Sequence, residues 1–292
     1  MSSIDELTLG GDELEVVMLP SIGARVHRIR AFGQDLLRTP DDPATHLEQP
    51  FDWGAYPMAP WCNRAPAGPT PVAGRTVHLA ANFPDGTAIH GLVSAAPWTP
   101  DGDGSLHVQA GGDGWPWPHE VALTPSVGGR GLQFDFRLTN LAREPMPAGI
   151  GLHPWFRTPV EVSLPAEAVY QANSGSAAVS QPVAGAFDLR RLGPPSTGLD
   201  GTWTRLRERR VELEWPDLGV RARLEMESDT ASACVAVARP PSTDAVAIEP
   251  QTHGPDPLRR LANGEPDAPI LLGPGGALRF VVRLTVSSAE PR

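Results

Sequence analysis

A two-residue hydrophobic rhythm, recurring along most of the chain, restricts the fold more than any other feature. In Leu132-Gln133-Phe134-Asp135-Phe136-Arg137-Leu138-Thr139 every second residue is apolar. Leu278, Phe280, Val282, Leu284 and Val286 repeat the pattern, and Val220-Arg221-Ala222-Arg223-Leu224-Glu225-Met226-Glu227 does the same. Successive side chains of a strand point to opposite faces, so each segment predicts a strand with one face on a core. Further candidates cover 13–19, 26–32, 77–79, 106–109, 120–123, 211–215, 233–238 and 245–249. The breaks between them hold turn sequences such as PDGT, DGDGS and GGDG. With 33 prolines and 30 glycines in 292 residues, little room is left for long helices. The expectation is an all-β fold: one large antiparallel β-sandwich domain over 1–292, with few short helices and long loops, the loosest stretch being 181–201.

Charge and composition remove several function classes. A net charge of -10 argues against a nucleic-acid or anionic-membrane partner, since both need a basic patch. No apolar run approaches the roughly 18 residues of a membrane span. The opening MSSIDELTLGGDELEVV lacks a basic segment and an apolar core, so no signal peptide is expected and a cytoplasmic location is. Cys62 and Cys234 form neither a disulfide framework nor a zinc motif and read as free buried thiols. All 24 basic residues are arginine, which rules out Schiff-base lysine chemistry and a P-loop. A monomer and a homodimer paired through an exposed edge strand are both compatible with the sequence.

Four stretches place polar groups among apolar or aromatic ones. Pro57-Met58-Ala59-Pro60-Trp61-Cys62-Asn63-Arg64 ends on a guanidinium, which can fork hydrogen bonds to hydroxyl or carboxylate oxygens or tie a loop by an ion pair. In Ala88-Ile89-His90-Gly91-Leu92 the glycine after the histidine leaves room for a ligand to approach the backbone. Gly149-Ile150-Gly151-Leu152-His153-Pro154-Trp155-Phe156 admits an imidazole into an apolar run. Ala245-Val246-Ala247-Ile248-Glu249-Pro250-Gln251-Thr252-His253 ends an apolar strand on a carboxylate, which is costly unless paired or facing a site. Each histidine taken alone reads more readily as a core or turn residue than as a site. His90, His153 and Glu249 together also permit a metal site, although no metal motif is present.

Taken in order, PWCNR, HG, GLHPWF, IEPQT and LLGPGG resemble the aldose 1-epimerase (galactose mutarotase) family. The resemblance runs from about Gly54 to Val286 and includes Gly114-Trp115-Pro116-Trp117-Pro118 and Thr139-Asn140. It implies a large antiparallel β-sandwich that interconverts the α and β anomers of a free, galactose- or glucose-like aldose, without cofactor or metal. On this resemblance His153 is the general acid and Glu249 the base. Arg64 and His90 hold sugar hydroxyls or the ring oxygen, Asp200 in Gly198-Leu199-Asp200-Gly201 binds hydroxyls, and Trp155 replaces a tyrosine common in the family. Trp61, Trp98, Trp115 and Trp155 are candidate stacking surfaces for a sugar. His153 and Glu249 are expected several ångströms apart across one pocket. Gly254-Pro255-Asp256-Pro257-Leu258 departs from the usual ending of the last motif, which bears on the sugar. A hexose-6-phosphate mutarotase, for which only Arg64 and Arg157 offer phosphate contacts, and a non-catalytic sugar-binding sandwich remain as alternatives.

Overall fold

The computed structural model describes residues 4–112, 114–172 and 179–289. Two antiparallel sheets dominate, one of eleven strands and one of eight. The centre of the larger runs Arg25–Ala31, Ala55–Met58, Gly151–Arg157, Ala245–Gln251, Cys234–Ala238, Asp200–Leu206, Ala166–Gln171. The centre of the smaller runs His119–Gly128, Gly131–Asn140, Ala277–Ser288, Val220–Ser228, Arg210–Trp215. Among the described residues the α-helices are Thr45–Glu48 and Pro257–Asn263. The all-β architecture with few short helices is therefore what forms. No helix of the described residues is long and apolar enough to cross a membrane.

The rhythmic segments build the smaller sheet. Phe136 stands opposite Phe280 and Leu138 opposite Leu278, so apolar residues meet apolar residues across the strands. A slip of one residue would turn that whole row toward water, so the pattern itself sets the register.

The larger sheet is different because both of its faces are covered. Ala245–Gln251 is buried throughout, and Gly151–Arg157 is buried up to its last residue. Val246, Ile248, Leu152 and Phe156 point into the cluster shared with the smaller sheet, where Phe156 meets Trp215 at 5.6 Å. The alternate residues face away from that core. There, Tyr56, Met58, Cys62, Trp155, Ala245 and Ala247 form a second, smaller apolar cluster. Two covered faces erase the polar half of the rhythm, which is why Ala55–Met58 and Asp200–Leu206 lack a period-two signal. Residues 181–201 carry Gln181–Pro182, a 3-10 turn at Gly185–Phe187, an isolated bridge from Gly193 to Val162 and the first residues of Asp200–Leu206.

Candidate functional site

Strand register assembles a row of side chains on the outer face of the larger sheet. His153 pairs with Tyr56 on one side. On the other it lies midway between the pairs Gly151–Gln251 and Trp155–Ala247, which sets it opposite Glu249. Glu249 pairs with Ala236, Ala236 with Thr202, and Thr202 with Tyr170. The next row on the same face holds Trp155, Ala247, Ala238 and Asp200. Alanine at 236 and 238 keeps the floor low, and the space above it is a cleft.

The cleft has two lobes. The inner, of about 220 Å³, is lined by His153, Glu249, His90, Tyr56, Trp155 and Phe83 among others. The outer, of about 310 Å³, is lined by Asp85, Tyr170, Gln171, Thr202, Pro255 and Asp256 among others. Asn63, Arg64 and Asp200 line both, so the lobes adjoin. Pro255 and Asp256 show where the unusual ending of the last motif goes: it forms part of the outer wall.

His153 and Glu249 are in direct contact. Nε2 of His153 is 3.2 Å from Oε1 of Glu249, and both residues are 4% exposed. The expected separation of several ångströms is thus corrected: adjacent strands bring the two together on one wall. Burial works against charge on each. It lifts the Glu249 carboxyl to about 8, with Asp200 adding to the rise and Arg64 opposing it. It lowers His153 to about 3. Across the neutral range the pair therefore shares one proton, and burial favours its residence on the carboxyl.

His90 is held in one tautomer. The backbone N–H of Asn63 donates to its Nδ1 at 3.2 Å, and burial keeps the ring neutral. Its proton is then on Nε2, which makes that nitrogen a donor. Its edge approaches His153, with ring centroids 5.0 Å apart. The residue has a left-handed backbone, φ 61°, fastened by Asn82, which accepts from Ile89 N at 2.7 Å and donates to Ile89 O at 3.1 Å. Gly91 does not serve ligand approach as the sequence suggested. A Cβ there would lie 1.9 Å from Ala59 O, so glycine is required for this turn to pack on the 59–64 segment.

Arg64 donates from Nε to Asp85 Oδ2 at 2.7 Å and lies over the Phe83 ring at 5.1 Å. Asp200 is half-buried at the boundary between lobes, and burial raises its carboxyl while the Arg64 charge opposes the rise. Trp155 donates from Nε1 to Phe51 O at 2.6 Å, its ring 5.1 Å from that of His153. All six sequence-derived positions, Arg64, His90, His153, Trp155, Asp200 and Glu249, therefore line one cleft.

The other tryptophans are corrected. Trp61, Trp98 and Trp115 lie in the main core, with Trp61 and Trp115 5.1 Å apart and Trp115 5.0 Å from Trp117. Arg157 is also remote: it lies with Arg28, Arg38 and Asp35 in a separate cavity. Cys62 and Cys234 are free and buried.

Two residues went unread in the sequence. Tyr56 stacks on His153 with centroids 4.6 Å apart and planes at 18°. On its ring lies Arg25, 4.7 Å from the centroid, fully buried and held by the carbonyls of Pro50 and Trp53. Burial lowers Arg25 to about 10. An arginine in a strand otherwise reads as solvent-facing, and Pro57 hides the rhythm around Tyr56.

His90, His153 and Glu249 each offer a ligand-type atom within 4.8 Å of the others. The Asn63 bond occupies one nitrogen of His90 and leaves the proton on the other, so His90 could ligate a metal only after that bond breaks.

A model of the family described as aldose 1-epimerase matches residues 5–285. Solved structures share the fold. One is an Escherichia coli K12 protein provisionally named an aldose 1-epimerase, at 20% identity and TM-score 0.82, covering 97% of this chain and 99% of that one. Another is a galactose mutarotase-like protein from Clostridium acetobutylicum, at 18% identity and TM-score 0.80, covering 96% and 94%. A third is galactose 1-epimerase from Lactobacillus acidophilus NCFM, at 15% identity and TM-score 0.73, covering 98% and 95%. No curated protein matches the sequence.

Proposed function

This chain belongs to the aldose 1-epimerase family, and on that premise we propose that it interconverts the α and β anomers of a free aldose by acid–base ring opening and closure. The observation that carries the reading is the buried His153–Glu249 pair, in contact at 3.2 Å on the floor of a small cleft. A sugar-binding wall needs no such pair, and burying two ionisable groups together is costly for mere structure.

The reaction needs a proton removed at one oxygen and added at another. With the shared proton on His153, Glu249 is a carboxylate. Glu249 takes the proton of the anomeric hydroxyl while His153 gives its proton to the ring oxygen. The bond between the anomeric carbon and the ring oxygen breaks, and the anomeric oxygen becomes a carbonyl. Rotation about the adjacent carbon–carbon bond turns the other carbonyl face to the ring hydroxyl. His153 then recovers the proton from that hydroxyl as it attacks, and Glu249 returns its own to the carbonyl oxygen. The pair ends as it began. Each positioned acid or base contributes about 10²–10⁴-fold. His90 donates from Nε2 to a sugar oxygen, Arg64 and Asp200 hold hydroxyls, and Trp155 offers a ring to the apolar face of the sugar.

A neutral sugar suits the lining better than a phosphorylated one. Arg64 is the lone cation lining the two lobes among the described residues, and Asp85 already takes its Nε. Asp85, Asp200 and Asp256 would repel a phosphate. Polarimetry on freshly dissolved galactose, glucose, arabinose, fucose and the 6-phosphates of the hexoses tests this. A free sugar is expected to equilibrate faster than its spontaneous rate and better than its phosphate. Acceleration of none rejects the activity, and preference for a phosphate rejects the substrate class.

A further inference from the structure

Four residues beyond Glu249, His253 is fully buried at the end of the same motif. Its Nε2 accepts the backbone N–H of Cys62 at 3.0 Å, and its Nδ1 donates to Gly254 O at 2.7 Å. Only one tautomer allows both bonds, the neutral ring with its proton on Nδ1. Burial, which lowers this imidazole to about 4, keeps it in that form near neutral pH. A third segment closes on the same ring. At Gly149 a Cβ would lie 2.1 Å from His253 Cδ2, while Gly149 N–H donates to Pro60 O at 2.7 Å.

The bond to Cys62 matters because the two residues after it in the chain carry the site's polar wall. Asn63 donates its N–H to His90 and accepts the N–H of Arg64 on its side-chain oxygen at 2.7 Å. His90 N–H in turn donates to Asn63 O at 3.2 Å. Both groups that would orient the sugar are thus tied to a segment that the His253 imidazole joins to the strand of Glu249, beside the Gly149–Pro60 bond. His153 and Glu249 are held separately, by pairing within the sheet.

We infer that His253 is a positioning residue, one that fastens the segment carrying Asn63 and Arg64 to the strand carrying Glu249, so that His90 and Arg64 stand in register with the acid–base pair. The inference rests on the anomer-exchange reading. Losing the Cys62 contact shifts the orienting groups and leaves the proton-transfer groups in place, so KM suffers more than kcat.

Three variants separate this from simple packing. His253→Phe keeps a ring against Gly149 and loses the acceptor. His253→Asn keeps a donor toward Gly254 O and is too short to reach Cys62. His253→Gln extends an amide oxygen to Cys62 N–H. In anomer-exchange assays Phe and Asn are expected to raise KM roughly tenfold, the effect of one hydrogen bond, with kcat within about threefold. Gln is expected to restore KM to within about threefold of wild type. Phe and Asn with unchanged KM and a kcat reduced in step with the folded fraction, or Gln as impaired in KM as Phe, overturns the inference. If Phe does not fold, the Asn–Gln comparison decides alone. If the wild type accelerates no sugar, the anomer-exchange reading has failed. Galactose binding by calorimetry then decides the positioning role, with weaker binding for Asn than for Gln expected and equal binding contradicting it.

Discussion

His153 Nε2 lies 3.2 Å from Glu249 Oε1 on neighbouring strands, in a setting that disfavours charge on either group. Their activity depends on holding one proton between them. Below about 3 the pair carries two protons and lacks a base; above about 8 it carries none and lacks an acid. The rate constant for enzyme-catalysed anomer exchange should therefore fall as pH rises through about 8, with a one-proton dependence. Stopped-flow polarimetry between pH 6 and pH 10, corrected for the spontaneous rate, checks this; a rate still climbing above pH 9 contradicts it.

The same burial makes Glu249 a liability for stability. Its folded pKa of about 8 is raised above the ordinary 4.5 of the unfolded chain. The folded state thus binds this proton more tightly, and stability is lost as pH rises from the unfolded value toward the folded one. Glu249→Gln should melt with wild type near pH 4 and above it at pH 8. Thermal unfolding of both proteins at the two pH values measures the difference; a lower Tm for the variant at pH 8 rejects the raised carboxyl.

His90 is assigned as a neutral donor, and its tautomer depends on Asn63 N–H. His90→Gln, which can still donate, should retain more activity than His90→Leu, which cannot. The Leu variant should lose roughly 10-fold in kcat/KM, mainly through KM, the effect of one hydrogen bond to bound sugar. Equal activity of the two variants removes His90 from the substrate's contacts.

The His90–His153–Glu249 cluster makes a metal test decisive. Since Asn63 engages His90, prolonged EDTA dialysis should leave activity unchanged, and added zinc should not raise it. Loss on dialysis with recovery on zinc assigns the cluster to a metal instead.

Phe156 points from the strand of His153 into the inter-sheet core and meets Trp215. Phe156→Ala should cost about 3–5 kcal/mol of stability through the cavity it leaves. Denaturant unfolding tests it, and a loss below about 1 kcal/mol would show that the sheets do not share this contact.

The smaller sheet was readable in the sequence because water covers one of its faces. Gly131–Asn140 and Ala277–Ser288 alternate core-facing apolar residues with mostly polar ones on the other face, Val281 being an exception. The strands beneath the cleft were harder, since each buries core residues on one side and site residues on the other. Ala55–Met58 and Asp200–Leu206 carry no alternation for that reason. The site positions were legible through motif order, which says nothing of geometry. Motif order named His153 and Glu249, and the several-ångström separation expected for them gives way to direct contact because adjacent strands pair. Arg25 and Tyr56 escaped altogether, because a guanidinium held by backbone carbonyls beneath an aromatic ring has no short-range signature. The tryptophans misled in the opposite sense: Trp61 and Trp115 are large enough to serve as core or as platform, and only packing decides.

The central claim is that the His153–Glu249 pair moves the protons. Its most direct test is polarimetric anomer exchange by Glu249→Gln and His153→Asn, each alongside calorimetry on the same sugar. The account predicts sugar binding within about tenfold of wild type and a loss of kcat of at least about 10²-fold in both variants. Wild-type kcat in either variant contradicts it.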